Sequence, residues 1–193
     1  MPQWPVVLRS EGVVLRPLAR RDRKDWQQTR DRNRDWLRRW DATSPTGSEA
    51  PRTFAAMVRA YTRQANAGQG MPFVIEIDGR LVGQITVNNI VRGSGQFASV
   101  GYWIDQDYAG RGITTRAVAM VVDHCFFAAR LHRVEIAIRP ENTASLRVVE
   151  KLGIHEYGYA PKFLHIDGAW RDHRLFAVTI EECPQGIVKR LES

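Results

Sequence analysis

Residues 72–105 alternate short, β-branched apolar runs with tight-turn signals, and this pattern restricts the possible folds more than any other in the chain. The runs are 72–77, 81–89 and 97–105. Asp78-Gly79 separates the first pair, and Gly93-Ser94-Gly95 the second. Asp-Gly supplies the positive φ angles of a two-residue hairpin turn, so the three runs are expected to form an antiparallel meander. Next, residues 113–131 place Val118, Val121, Val122, Cys125 and Ala129 at helical spacing. A strand at 134–138 and a helix at 142–152 follow, the helix stopped by Gly153. Residues 158–166 and 170–180 close the chain as a hairpin around Asp167-Gly168. Upstream, 12–18 reads as the first strand, ended near Pro17. Residues 19–40 read as helix in two pieces, with Trp36 and Trp40 able to share a face. A loop at 41–48 precedes a helix at 51–67, with Pro51 in its first turn. The expected fold class is α+β (mixed α/β): a mostly antiparallel, seven-stranded sheet with about four helices. No linker divides residues 1–193, so one domain is expected.

The 193 residues are 44% hydrophobic and 25% charged, an ordinary globular balance. Cys125 and Cys183 lack the spacing of a zinc or disulfide framework, and Cys125 reads as a buried thiol. His155, His165 and His173 are scattered, so no metal site is expected. No signal peptide or membrane-length apolar run is present, and a cytoplasmic location is expected. The net charge is +7, and residues 16–39 hold nine Arg and one Lys against four Asp. Such a face attracts polyanions, but interleaved Asp residues equally suggest a solvated helix with i,i+4 ion pairs.

Residues 104–115, Ile-Asp-Gln-Asp-Tyr-Ala-Gly-Arg-Gly-Ile-Thr-Thr, join a strand to the long helix. Gly110 and Gly112 let backbone amides approach a ligand, and the helix start offers unpaired N–H groups. Together they suit a phosphate or diphosphate, with Arg111 beside it. A plain strand–helix turn explains the glycines equally well. The spacing is neither G-x-x-x-x-G-K-[ST] nor G-x-G-x-x-G, which excludes the two commonest nucleotide loops. Farther on, Asn142 opens a helix with Ser145 three residues later. As an isolated feature, Asn142 is simply a helix cap.

Taken together, these segments resemble the GNAT acetyltransferase superfamily, and within it the RimJ/RimL branch of ribosomal-protein N-terminal acetyltransferases. The family's diphosphate loop, [Q/R]-x-x-G-x-[G/A], aligns with Ala109 to Thr114; Gly112 matches, whereas Ala109 and Thr114 depart. The later motif, N-x-x-[A/S]-x-x-x-x-x-K-L-G-[F/I], matches at Asn142, Ser145, Lys151, Leu152, Gly153 and Ile154. The opening strand near Gly12, the Ser99-Val100-Gly101-Tyr102-Trp103 strand and the closing hairpin also look like that branch.

The resemblance implies an enzyme that moves an acetyl group from acetyl-CoA to an amine. It implies cofactor contacts at Val100, Gly101, Tyr102, Tyr108, Ala109, Gly110, Arg111, Gly112, Ile113, Thr114, Thr115, Asn142 and Ser145. Ser145, expected near the sulfur, is the implied group that stabilises or protonates the leaving thiolate, and Tyr102 is the other expected catalytic residue. A Tyr used by many relatives is replaced by Val149, and a Glu on their central strand by Ser99. That leaves Glu76, Tyr102 or a water chain as candidate bases. An α-amine, with a pKa of about 7.7–8.0, tolerates a weak base better than a lysine amine near ~10.4. The implied acceptor is therefore a protein N-terminus, a ribosomal protein among them, with no membrane partner, with nucleic acid at most an indirect partner, and in a monomer or homodimer. Trp36, Trp40 and the loop to Ser48 are candidates to shape the acceptor site, the two Trp residues being alternatively core. A small-amine acetyltransferase (antibiotic or polyamine), a non-catalytic acyl-CoA-binding module and a nucleic-acid-binding protein are the competing readings.

Overall fold

The computed structural model describes residues 4–47 and 53–192. Ser48 and Pro51, expected to end the loop and start the next helix, lie outside the described residues.

The strands are β1 (Leu8–Ser10), β2 (Val13–Pro17), β3 (Met71–Ile77), β4 (Arg80–Val91), β5 (Phe97–Ile104), β6 (Arg133–Ile138), β7 (His155–Ile166) and β8 (Ala169–Thr179). They form one sheet in the order β1-β2-β3-β4-β5-β6-β8-β7. Sequence analysis expects seven strands; the eighth is β1, which folds back on β2 through Glu11 and Gly12, both at positive φ. The two Asp-Gly turns form as expected: Asp78 and Gly79 lie at φ 48° and 75°, and Asp167 and Gly168 at 47° and 75°.

Among the described residues five α-helices pack on this sheet: α1 (Arg23–Arg32), α2 (Arg34–Arg38), α3 (Phe54–Asn66), α4 (Ile113–Asp123) and α5 (Thr143–Lys151). The basic segment forms two helices, as its two-piece reading expects, with the break at Asn33. α4 is shorter than the apolar run suggests, since residues 124–128 continue as a wider π-turn. Its side chains Val118, Val121 and Val122 join Val148, Val149 and Leu152 of α5 and Ile75, Ile85 and Val100 of the sheet in the main core. A second, smaller cluster of Leu18, Phe54, Val58, Val74 and Leu81, with Trp26 and Trp103 against it, seats α1 and α3. Alternation along β5 makes this division: Val100 and Tyr102 pack against one cluster and Trp103 against the other.

Among the described residues the one parallel ladder is β5 with β6, and it is short. It joins Phe97, Ala98 and Ser99 to Arg133, Val134 and Glu135, and stops there. Beyond it β5 remains paired with β4 through Ile104, while β6 remains paired with β8 through Ile138. The sheet therefore splits into a wedge whose one side is the edge of Val100–Trp103. Strand backbone in such a gap has donors and acceptors with no strand opposite.

The basic segment pairs differently from the expected i,i+4 pattern. Arg34–Asp31 is a local i,i+3 pair, but Arg30 reaches Asp41, Arg38 reaches Asp167, and Arg16 bridges Asp22 and Glu76. These arginines tie the N-terminal helices to the sheet and its hairpins, and the segment is not a uniformly free cationic face.

Gly83 fixes how closely β4 and β5 cross below the wedge. A Cβ there would lie 2.5 Å from the Trp103 carbonyl oxygen, which is backbone and cannot move aside cheaply. Gly83→Ala is expected to destabilise the fold by about 1–3 kcal/mol, the range for forced overpacking. Chemical denaturation checks this through a lower midpoint at unchanged slope.

Candidate active site

The wedge opens into a cleft of about 490 Å³. Its floor is Tyr102, Trp103 and Ile104 of β5, and one wall runs from Tyr108 through Gly110 and Gly112 to Thr115. The opposite wall is Asn142, Ser145, Arg147, Val148 and Lys151, on α5 and just before it. Asp35, Trp36, Arg39 and Trp40 close one end.

The glycine turn is shaped by backbone conformation. Gly110 and Gly112 lie at φ 76° and 78°, where a side chain is strained, and open space surrounds the position a Cβ would take at either. Gly112 is also the cap residue of α4 and has no side chain to occupy the first-turn amides. Those amides and the positive end of the helix thus face the cleft.

Asn142 caps α5: its side-chain oxygen accepts from the Ser145 amide at 3.1 Å. The side-chain NH₂ remains as a donor at the cleft wall. The capping expectation and the ligand expectation are thus compatible, because they use different atoms of one amide.

Tyr102 carries the most unusual environment. Its hydroxyl is buried and meets no hydrogen-bond partner of normal geometry, although Ser145 stands next to it. Burial pushes this phenol up to about 12, against a small opposing pull from Ser145. Tyr102 is thus a proton donor at any physiological pH, and its place among the candidate bases is corrected. Glu76 is corrected too: it accepts from Arg16 Nε at 2.7 Å and does not line the cleft.

Of the expected cofactor residues, Tyr102, Tyr108, Ala109, Gly110, Gly112, Ile113, Thr114, Thr115, Asn142 and Ser145 all line this cleft. Val100 and Gly101 do not. The Val100 side chain is in the core, so only backbone of these two residues is available, along the unpaired edge of β5. Arg111 is also outside; its guanidinium lies over the Tyr108 ring at 5.2 Å and borders a neighbouring depression with Lys151.

Trp36 and Trp40 are only partly buried and line the cleft, so of their two alternative readings the core one is set aside. Arg39 and Arg139 sit over the Trp40 ring at 4.8 Å and 5.3 Å. The strand of loop after α2 is held to the closing hairpin, with the Thr43 amide donating to the His165 carbonyl at 2.9 Å. Asp35, Arg39, Arg147 and Glu141 are cleft residues that sequence analysis does not single out as ligands. In the sequence, Trp36, Trp40 and the loop to Ser48 are what point towards that end.

His173 is buried against Phe163, and Asp172 accepts from the Tyr159 hydroxyl at 2.6 Å, so these neighbours form no acid–base pair. Burial pushes the Cys125 thiol up to about 12, which makes it an inert core group. Among the described residues no cluster of metal-ligating side chains occurs, and no helix is long and apolar enough to cross a membrane.

A splayed sheet, a glycine-capped helix start and a helix carrying Asn142 and Ser145 define an acetyltransferase of the GNAT type. The GNAT acetyltransferase domain model matches residues 13–155, and the chain belongs to this family of N-acetyltransferases. RimJ from Mycobacterium smegmatis, solved in complex with CoA-disulfide, superposes with a TM-score of 0.90 at 40% identity, covering 98% of this chain and 94% of that one. The probable N-acetyltransferase YjcK of Bacillus subtilis is 32% identical over 174 residues, 89% of this chain and 96% of that protein. The [ribosomal protein uS5]-alanine N-acetyltransferase of Escherichia coli is 28% identical over 184 residues, 94% of each.

Proposed function

We propose that this cleft moves the acetyl group of acetyl-CoA to the N-terminal α-amine of a protein, a ribosomal protein with an N-terminal Ala or Ser being the favoured acceptor. The observation that carries the reading is the buried, partnerless Tyr102 hydroxyl beside Ser145, at the base of a cleft that the glycine turn opens. The names of RimJ and of the uS5-alanine enzyme support the acceptor class.

The residues fit coenzyme A on structural grounds. The free edge of β5 matches an arm that carries amides, and the uncapped start of α4 matches a diphosphate. Bound acetyl-CoA supplies a thioester, an acyl group already activated towards amines. The chain then has three tasks. Amides from Gly110 to Thr115 hold the diphosphate. Backbone of Val100–Trp103 and the Asn142 side-chain NH₂ hold the arm and orient the carbonyl. As the amine nitrogen bonds to the carbonyl carbon and the C–S bond breaks, Tyr102, protonated and desolvated, would give its proton to the leaving thiolate, directly or through the neighbouring Ser145 hydroxyl, and the proton lost by the amine nitrogen would return to the phenolate through solvent.

Among the described residues no carboxylate stands at the floor of the cleft; the acidic side chains that line it are Asp35 and Glu141, accompanied by Arg39, Arg147 and Lys151. An α-amine with a pKa of about 7.7–8.0 is partly neutral without a base, so this arrangement suits it.

The test is a mass-shift assay with acetyl-CoA and peptides beginning Ala or Ser, run beside N-terminally blocked lysine peptides and spermidine. Transfer confined to free α-amines is expected. Preferential acetylation of spermidine or of lysine overturns the acceptor class. The expected pH profile follows the substrate: kcat/KM rises through about pH 7.7–8.0 as the amine loses its proton, then levels off.

A further inference from the structure

Asn33 stands at the break between α1 and α2 and is 2% exposed. A buried amide costs free energy unless its groups are bonded, and this one is bonded throughout. Its NH₂ donates to the Thr29 carbonyl at 2.9 Å and to Asp105 Oδ1 at 2.8 Å. Its oxygen accepts from the Gln106 amide at 2.8 Å. Asp105 is 1% exposed and is also bonded by Arg32 and by the Asp107 amide at 3.3 Å. Burial alone raises its pKa, but the bonds from Arg32, Asn33 and Asp107 outweigh that and keep it a carboxylate. The chain runs directly from this knot to the glycine turn, since Tyr108 and Ala109 donate back to the Asp105 and Gln106 carbonyls at 2.9 Å and 3.1 Å. On its other side, α2 carries Asp35, Trp36 and Leu37, which form one end of the cleft together with Trp40 just beyond it.

We infer that Asn33 is a positioning residue that locks residues 105–112 to α2, so that coenzyme binding at the glycine turn orders the Trp36–Trp40 wall of the acceptor end. The inference rests on the reading that residues 110–115 hold the coenzyme. Arg32 reaches the same Asp105 from the last turn of α1, but among the described contacts only the Asn33 side chain also holds the Gln106 amide, and the Asn33 carbonyl accepts from the Leu37 amide of α2 at 2.9 Å. Asn33 touches neither the cleft nor any reacting atom, so its effect travels through Gln106 and Asp105.

Hydrogen exchange with and without coenzyme A tests this on the full chain. In the wild type, coenzyme A is expected to slow exchange in residues 106–115 and also in 34–40. In Asn33→Ala, slowing persists in 106–115 and is lost in 34–40, and coenzyme A binds about tenfold more weakly by calorimetry. Asn33→Ser, which keeps a polar group at the break, should show an intermediate loss if the alanine variant folds poorly. Asp123→Ala is the stability control. Asp123 accepts from the Ile187 and Val188 amides at 2.6 Å and 3.2 Å, away from the cleft. Wild-type slowing in both segments that survives unchanged in Asn33→Ala and Asn33→Ser overturns the coupling alone. Loss of the 34–40 effect in Asp123→Ala as well reduces Asn33 to a stability role and overturns it. No slowing of 106–115 in the wild type overturns the reading of the turn together with the inference.

Discussion

Tyr102→Phe is expected to lower kcat about 10²-fold or more, the usual size of a lost general acid. The KM for acetyl-CoA should hardly change, because the ring that lines the cleft remains. Stability should move the other way. The hydroxyl is buried without a partner, and such a group costs about 1–3 kcal/mol. Its removal is expected to raise the melting temperature, or at least not lower it. Steady-state kinetics and thermal unfolding on the same preparation read both effects. A variant of undiminished kcat removes Tyr102 from the chemistry. Ser145→Ala should also reduce kcat, but less, since the phenol can still reach the sulfur. Because the phenol titrates near 12, the wild-type profile should show no basic limb from Tyr102 below about pH 10.

Gly112→Asp is expected to weaken coenzyme A binding by about 10²-fold or more. The φ of 78° costs a side chain of order 1–2 kcal/mol, which is close to tenfold by itself. The carboxylate adds like-charge repulsion against the diphosphate. Gly112→Ala separates the two effects. No protein atom lies within 4 Å of the added Cβ, so alanine tests backbone strain alone and should cost about tenfold. Isothermal calorimetry with coenzyme A reads both variants. Equal binding by Gly112→Asp and the wild type would falsify the diphosphate reading.

The parts of the fold legible in the sequence are those set by short-range rules. Asp78-Gly79 and Asp167-Gly168 announce their hairpins because the turn demands positive φ at both positions. Gly153, at φ 60°, likewise marks the end of α5. β1 is hidden because its turn uses Glu11 at φ 40°, and no residue preference signals a glutamate there. The glycine turn and the Asn142–Ser145 pair are legible through motif spacing. The unpaired state of the Tyr102 hydroxyl is not, since Tyr102 and Ser145 meet only when α5 docks beside β5. Asn33 is hidden for the same reason. In sequence it is one polar residue in a basic stretch, and its partners Asp105 and Gln106 lie 72 and 73 residues away. The basic stretch misleads in the same way, because Arg32 and Arg38 find carboxylates 73 and 129 residues away.

The gap between β5 and β6 has a thermodynamic corollary. A sheet with an unfilled seam in its middle is a fold left short of its last ladder, and a molecule that supplies amides along that seam acts as a guest strand. Whatever binds only the folded chain adds to its stability in proportion to the logarithm of its concentration, about 2.7 kcal/mol at a hundred times Kd. The lifetime of this protein would then report the supply of its own acyl donor, and starvation for that donor would leave the seam as the place where unfolding begins.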